Sequence, residues 1–77
     1  MKRFFFDLVS EFTAHDYVGH QCATRKEAKD HARFIAQRIG FEKPRLVESR
    51  SYVRVRDETG AEIFEVPVQA GYVPSLP

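Results

Sequence analysis

Hydrophobic and polar positions alternate at the start of the chain. Over residues 2–9, Phe4, Phe6 and Leu8 fall on one side of a pleated strand, and Arg3, Phe5, Asp7 and Val9 on the other. Aromatic and branched side chains suit a pleated surface, so a strand is predicted here, with Phe4, Phe6 and Leu8 facing the core. The period changes over residues 24–40. Ala28, Ala32, Ile35 and Ile39 recur at the spacing of one helix face. Thr24 followed by Glu27 reads as a capping box, in which each side chain satisfies a backbone N–H at the helix start. Gly40 stands where a left-handed cap would end the helix, with Arg38 near the negative end of the helix dipole. The two alanines let the helix approach a sheet closely. Lys26, Lys29, Arg33 and Gln37 point to solvent, and Phe34 sits on a flank that needs cover.

Residues 10–23 are mixed. Tyr17 and Val18 suggest a short second strand, framed by Asp16 and Gly19. Residues 41–45 form a connector in which Pro44 prevents helix continuation. Residues 46–56 read as a strand, clearest at Tyr52, Val53, Arg54, Val55 and Arg56. Asp57 and Gly60 suit the first and last positions of a type I turn with a bulge, and residues 61–68 return as a strand. Pro67 puts that strand at an edge or ends it. One hairpin register gathers Val53, Val55 and Ile63. A second gathers Val53, Val55, Phe64 and Val66, and it is favoured because it buries more apolar area. The predicted order is β-β-α-β-β. It makes an α+β fold, an antiparallel three- or four-stranded sheet with one helix packed on one face. Residues 1–68 form the domain and 69–77 a flexible tail. The expected core is Phe4, Phe6, Leu8, Ala28, Ala32, Ile35, Ile39, Val53, Val55, Phe64 and Val66, and Ile35→Ala is expected to cost about 2–5 kcal/mol.

Several of these stretches, in this order, carry a resemblance. They are Arg3-Phe4-Phe5-Phe6-Asp7-Leu8, Asp16-Tyr17-Val18-Gly19, Glu27-Ala28 with Ala32 and Ala36, residues 53–60, and Val66-Pro67-Val68. The chain resembles a family of short bacterial proteins known as domain of unknown function 6894, over most of residues 3–68. The resemblance implies a small, stand-alone bacterial protein. It implies no activity and supplies no catalytic residues. Residues 10–15 depart from the family's pattern, which has more polar, turn-like residues there.

Composition narrows the function classes. Seventy-seven residues make one small domain, with room for one core and little room for a deep cavity. The apolar set leans on Phe, with seven residues, and has no Trp. The single cysteine, Cys22, excludes an internal disulfide and fits a reducing cytoplasm. No segment approaches the roughly 18–20 apolar residues of a membrane span, so no membrane association is expected. Asp7 and Glu11 interrupt the apolar start, so no secretion signal is expected.

The net charge of +1 hides a segregation. Residues 25–56 carry ten Lys/Arg against four Asp/Glu, whereas residues 57–77 carry four acids and no base. The basic stretch can bind an external anion, or it can pair with the acidic last strand. Lys26, Lys29 and Arg33 line the helix, and Tyr52, Arg54 and Arg56 share one strand face. Arginine beside an aromatic on a sheet is how many domains hold single-stranded RNA or DNA. Against that, Glu62 and Glu65 can neutralise the arginines across the hairpin, and the isoelectric point near 7.9 is below the value above about 9 of dedicated nucleic-acid domains.

His15, Asp16, His20 and Cys22 are all possible metal ligands, but no second cysteine completes a zinc signature. No metal and no cofactor is therefore expected. Cys22 precedes the helix start, where the dipole can lower a thiol pKa, but a small apolar contact is the simpler reading. His31 is expected at the sheet rim near Glu27. No nucleophile elbow, phosphate loop or paired-histidine metal motif occurs, so no enzyme is expected. The leading expectation is a cytoplasmic protein-interaction module that binds a partner or a second copy of itself through a sheet edge. Phe34, Phe41 and Tyr72 are its candidate contacts. Weak nucleic-acid binding is the alternative.

Overall fold

A computed structural model describes residues 1–70. Five strands form one antiparallel sheet: β1 (Lys2–Val9), β2 (Thr13–Ala14), β3 (His20–Cys22), β4 (Tyr52–Arg56) and β5 (Glu62–Pro67). Helix α1 (Arg25–Glu42) packs on one face, and a single turn, α2 (Arg45–Glu48), precedes β4. The sheet runs β2-β1-β4-β5, and β3 shares the outer edge of β1 with β2. The fold is α+β, as the pattern predicts.

The β1 span is as expected, and β4 meets β5 in the favoured register, Val53 opposite Val66 and Val55 opposite Phe64. Asp57 shapes the turn: its carboxylate accepts the Thr59 and Ala61 N–H groups, and Gly60 takes the positive φ of 88° that closes it. Thr24 and Glu27 both engage at the start of α1, the glutamate reaching one residue before the cap. Thr24 Oγ1 accepts the Glu27 N–H at 3.1 Å, and Glu27 Oε2 accepts the Ala23 N–H at 3.0 Å.

Four expectations need correction. Tyr17 and Val18 are not a strand. They sit at the exposed tip of a loop that splits the second strand into β2 and β3. Residues 46–48 coil into α2 instead of extending, because Pro44 has the right-handed backbone that starts a turn. Gly40 does not cap α1. It lies inside the helix, which runs to Glu42 and is capped by the Lys43 N–H on the Ile39 carbonyl. Leu8 lies outside the core cluster, because α1 lies chiefly over β4 and β5 rather than over β1.

The core centres on Phe4, Val53, Val55 and Val66 beneath a seam of Ala28, Ala32 and Ala36. Small residues at every fourth position bring the helix backbone close to the sheet. Ile35, Ile39, Phe6 and Phe64 pack around this centre and remain partly exposed. The cost of Ile35→Ala therefore falls to the lower end of the expected range, about 2 kcal/mol. Gly40 continues the seam for a different reason. A Cβ there would collide with the Gln69 carbonyl oxygen and come within 2.7 Å of its carbon. Alanine normally stabilises a helix interior over glycine by about 1 kcal/mol. Gly40→Ala is instead expected to destabilise by about 1–3 kcal/mol, as overpacking does. A raised melting temperature for this variant would mean that residue 69 does not lie against the helix.

Candidate functional site

The face of the sheet away from α1 carries a buried charge. Asp7, between Phe6 and Leu8 on β1, is fully shielded from solvent. Arg54 sits directly across from it on β4, and Arg56 is two residues further along. Both guanidinium groups turn onto its carboxylate. Arg56 donates through Nε to Oδ2 at 2.7 Å and through Nη2 to Oδ1 at 3.0 Å. Arg54 donates through Nε and Nη2 to Oδ2 at 3.1 and 3.0 Å. The backbone N–H of Asp16 adds a further bond to Oδ1 at 2.9 Å. Burial alone would raise the Asp7 pKa. The hydrogen bonds from Arg56, Asp16 and Arg54 outweigh it and hold the carboxyl at about 2.

Asp16 extends the network into the loop. Between the β3 and β2 pairings, the outward N–H of Phe6 has no strand partner, and Asp16 Oδ2 accepts it at 3.1 Å. The side chain thus fills a gap in the ladder. Asp16 Oδ1 accepts the N–H groups of Val18 and Gly19, both at 3.0 Å. Burial opposes its charge, but the bonds from Gly19, Phe6 and Val18 hold its pKa below the ordinary value. Arg3 closes the loop from the other side, donating to the Val18 carbonyl at 2.8 Å. Gly19 has a φ of 77°, and a Cβ there would lie 2.7 Å from Arg3 Cγ and 2.9 Å from the Phe4 carbonyl oxygen. The bonds fix the backbone of residues 16–19, while Tyr17 and Val18 remain 85% and 76% exposed at the tip. Beside them, Phe5, His15, Asp16, Tyr17 and Arg56 line a shallow hollow of about 330 Å³, with the Arg56 guanidinium 5.2 Å from the Phe5 ring centre.

The chemistry available here is positional. Asp7 is held as an anion and fully hydrogen-bonded, so it has little capacity to accept a proton near neutrality. His15 Nδ1 stands 3.9 Å from Asp7 Oδ2, too far for a hydrogen bond.

The other candidate residues scatter. Lys26, Lys29 and Arg33 lie on α1, on the opposite face of the sheet from Tyr52, Arg54 and Arg56. Lys26 pairs with Asp30 at 3.1 Å, and Lys29 sits 5.3 Å above the Phe64 ring. The arginines form their salt bridges with Asp7, not with Glu62 or Glu65. His20 stacks on His31, ring centres 4.2 Å apart and nearly parallel, with Phe6 edge-on to His31. Cys22 is buried in the core, and burial followed by Glu27 pushes its thiol pKa up, so the thiol stays protonated. Phe34 and Phe41 are more than half exposed on the solvent side of α1. Tyr72 lies outside the described residues. Among those residues no helix is long and apolar enough to cross a membrane.

The residues that build this clamp, Arg3, Asp7, Asp16, Gly19, Arg54 and Arg56, sit in the stretches that suggested a family. The model of the family described as domain of unknown function (DUF6894) matches residues 3–69. The chain belongs to the DUF6894 family. The match runs from the first clamp residue, Arg3, to Gln69 over the Gly40 seam, so it takes in the sheet and helix described above. No curated protein and no solved structure matches the chain.

Acid should act on the DUF6894 domain in two stages. Burial, followed by the neighbouring His20, lowers the His31 pKa from 6.5. The folded state therefore resists protonation, and stability should decline as pH falls below about 6.5. Asp7 acts lower down. Its folded pKa of about 2 lies under the ordinary 3.8, so its contribution is complete above 3.8 and is lost between 3.8 and 2. That contribution is about 2 kcal/mol. Urea midpoints at pH 7, 5 and 3 should fall in that order, and equal midpoints at pH 7 and 3 would contradict both assignments.

Proposed function

We propose that this protein is a non-enzymatic protein-interaction module that recognises a partner through Tyr17 and Val18. One observation carries the reading: the most heavily hydrogen-bonded buried charge in the domain fixes the loop that exposes them. A buried ion pair does little for net stability, and a well-packed apolar group would serve as well. Its use is geometric. A contact loop already held in shape loses less entropy on binding than a free one. Tyrosine suits such a tip, since it offers a large rigid surface with a polar end. Phe5, His15 and Arg56 around the hollow extend the contact. The buried, reduced thiol of Cys22 fits a bacterial cytoplasm as the compartment.

Nucleic-acid binding has less support. Its strand arginines are already committed to Asp7, and its helix cations lie on the opposite face. A photoreactive phenylalanine installed in place of Tyr17, or in place of Lys26 as a control, separates the readings in living cells. A discrete protein adduct from position 17, absent from position 26, is the expected result. Equal adducts from both positions, or an RNA adduct from position 17, would count against it.

A further inference from the structure

Among the described residues, no carboxylate after Arg56 forms a salt bridge. Of the four acidic side chains there, two have structural tasks: Asp57 shapes the hairpin turn, and Glu58 accepts the Arg3 N–H at 2.9 Å. Glu62 and Glu65 remain. In register they lie opposite Arg56 and Arg54, the natural partners for cross-strand pairing. Asp7 holds both guanidinium groups instead, and among the described residues neither glutamate forms a salt bridge. The two glutamates are left against each other. Proximity to Glu62, then burial, then repulsion from Glu62 push the Glu65 carboxyl above its ordinary pKa, against the opposing attraction of Arg54.

These glutamates sit on the last strand of the described sheet. β5 ends the sheet, and no described residue pairs with its outer edge. The Val68 N–H donates to the Ser51 carbonyl, toward β4. In an antiparallel ladder the direction alternates, so Val66 also faces β4, while the Glu65 N–H and the carbonyls of Glu65 and Pro67 face outward. Pro67 has no N–H to offer, which shortens the template and guards it against indiscriminate pairing. Over residues 65–67 this leaves a short edge with one outward N–H and two outward carbonyls, beside two carboxylates that form no salt bridge among the described residues.

We propose that the outer edge of β5 receives an extended, basic segment of a partner protein, which adds as a further strand and places a lysine or arginine beside Glu65 and Glu62. Backbone bonds to Glu65 supply the register, and charge supplies the selection. A second copy of this chain is a poorer occupant, because β5 paired with itself sets glutamate against glutamate. This surface is separate from the Tyr17 loop, which lies beyond β1 at the other side of the sheet, so either can fail without the other.

The test uses the full chain, labelled with ¹⁵N, and two ten-residue peptides of the same β-branched frame. One carries lysine at alternate positions, the other glutamate. The lysine peptide should shift the Glu65 amide, slow its exchange with solvent, and bind about tenfold more tightly than the glutamate peptide, with the difference shrinking in high salt. Glu65→Lys, an exposed change that leaves the core intact, should reverse the preference. Three results would overturn the proposal. The peptides could bind equally. The shifts could spread over the acidic surface with Glu65 exchange unchanged. Or Glu65 exchange could slow with chain concentration alone, which would make the occupant a second copy.

Discussion

Asp7→Ala is expected to destabilise the domain by about 3–5 kcal/mol, because it leaves two guanidinium groups facing each other in a partly dry site. A domain of 77 residues has only a few kcal/mol in total, so the variant should be largely unfolded at room temperature. Arg54 and Arg56 keep about a quarter of their side-chain surface in contact with water, which eases the penalty toward the lower figure. A second variant separates stability from geometry. Asp7→Leu combined with Arg54→Met and Arg56→Met removes every buried charge at once, and such apolar replacement is often neutral or better. It should recover most of the melting temperature. The Asp16 N–H would still lack its acceptor, so the amides of residues 16–19 should exchange faster than in the parent. A triple variant that is both stable and unchanged in that loop would show that the clamp does not hold Tyr17 and Val18.

Phe4→Ala is the second large effect, at about 3–5 kcal/mol. Phe4 is the largest fully buried side chain, 1% exposed, and it packs in the core cluster with Ala28, Ala32, Val53 and Val55. The helix and sheet around it are rigid elements, so the space left cannot collapse fully. Its neighbour Phe5 makes a sharp comparison. Phe5 faces the other side of the sheet, partly exposed beneath Arg56. Phe5→Ala should cost only about 1 kcal/mol, the scale of an exposed cation–aromatic contact and some lost area. Urea unfolding of the two variants reads the strand's orientation directly. If Phe5→Ala proved as costly as Phe4→Ala, the assignment of faces in β1 would be wrong.

The alternation in β1 and the Thr24–Glu27 cap were legible because they are local: each depends on residues within one turn or one pleat. The end of α1 was not. Glycine serves both as a left-handed cap and where another backbone comes close, and Gly40 has the second role. Ala36 stands outside the expected core for a related reason. The stripe turns from Ala28 and Ala32 toward Ile35 and Ile39, yet the buried seam continues straight on through Ala36 and Gly40. The split second strand leaves no two-residue pattern, because the Asp16 side chain stands in for a strand partner.

The clamp left a trace that could have been followed. An aspartate inside a run of phenylalanines must be exposed or paired, and Arg54 and Arg56 alternate with buried valines on the matching face. Joining the two observations requires knowing that β1 lies beside β4 with Asp7 opposite Arg54. That register is set by tertiary packing, and no single stretch of sequence contains it.

Presentation of the Tyr17 loop depends most on Asp7 being an ionised, fully paired carboxylate. A pH titration of its side-chain carboxyl carbon by NMR measures this directly in the folded chain. The expected midpoint is near 2, with the amide shifts of Asp16, Val18 and Gly19 following the same curve. A midpoint near the ordinary 3.8, with those amides unresponsive, would contradict the clamp and the loop presentation built on it.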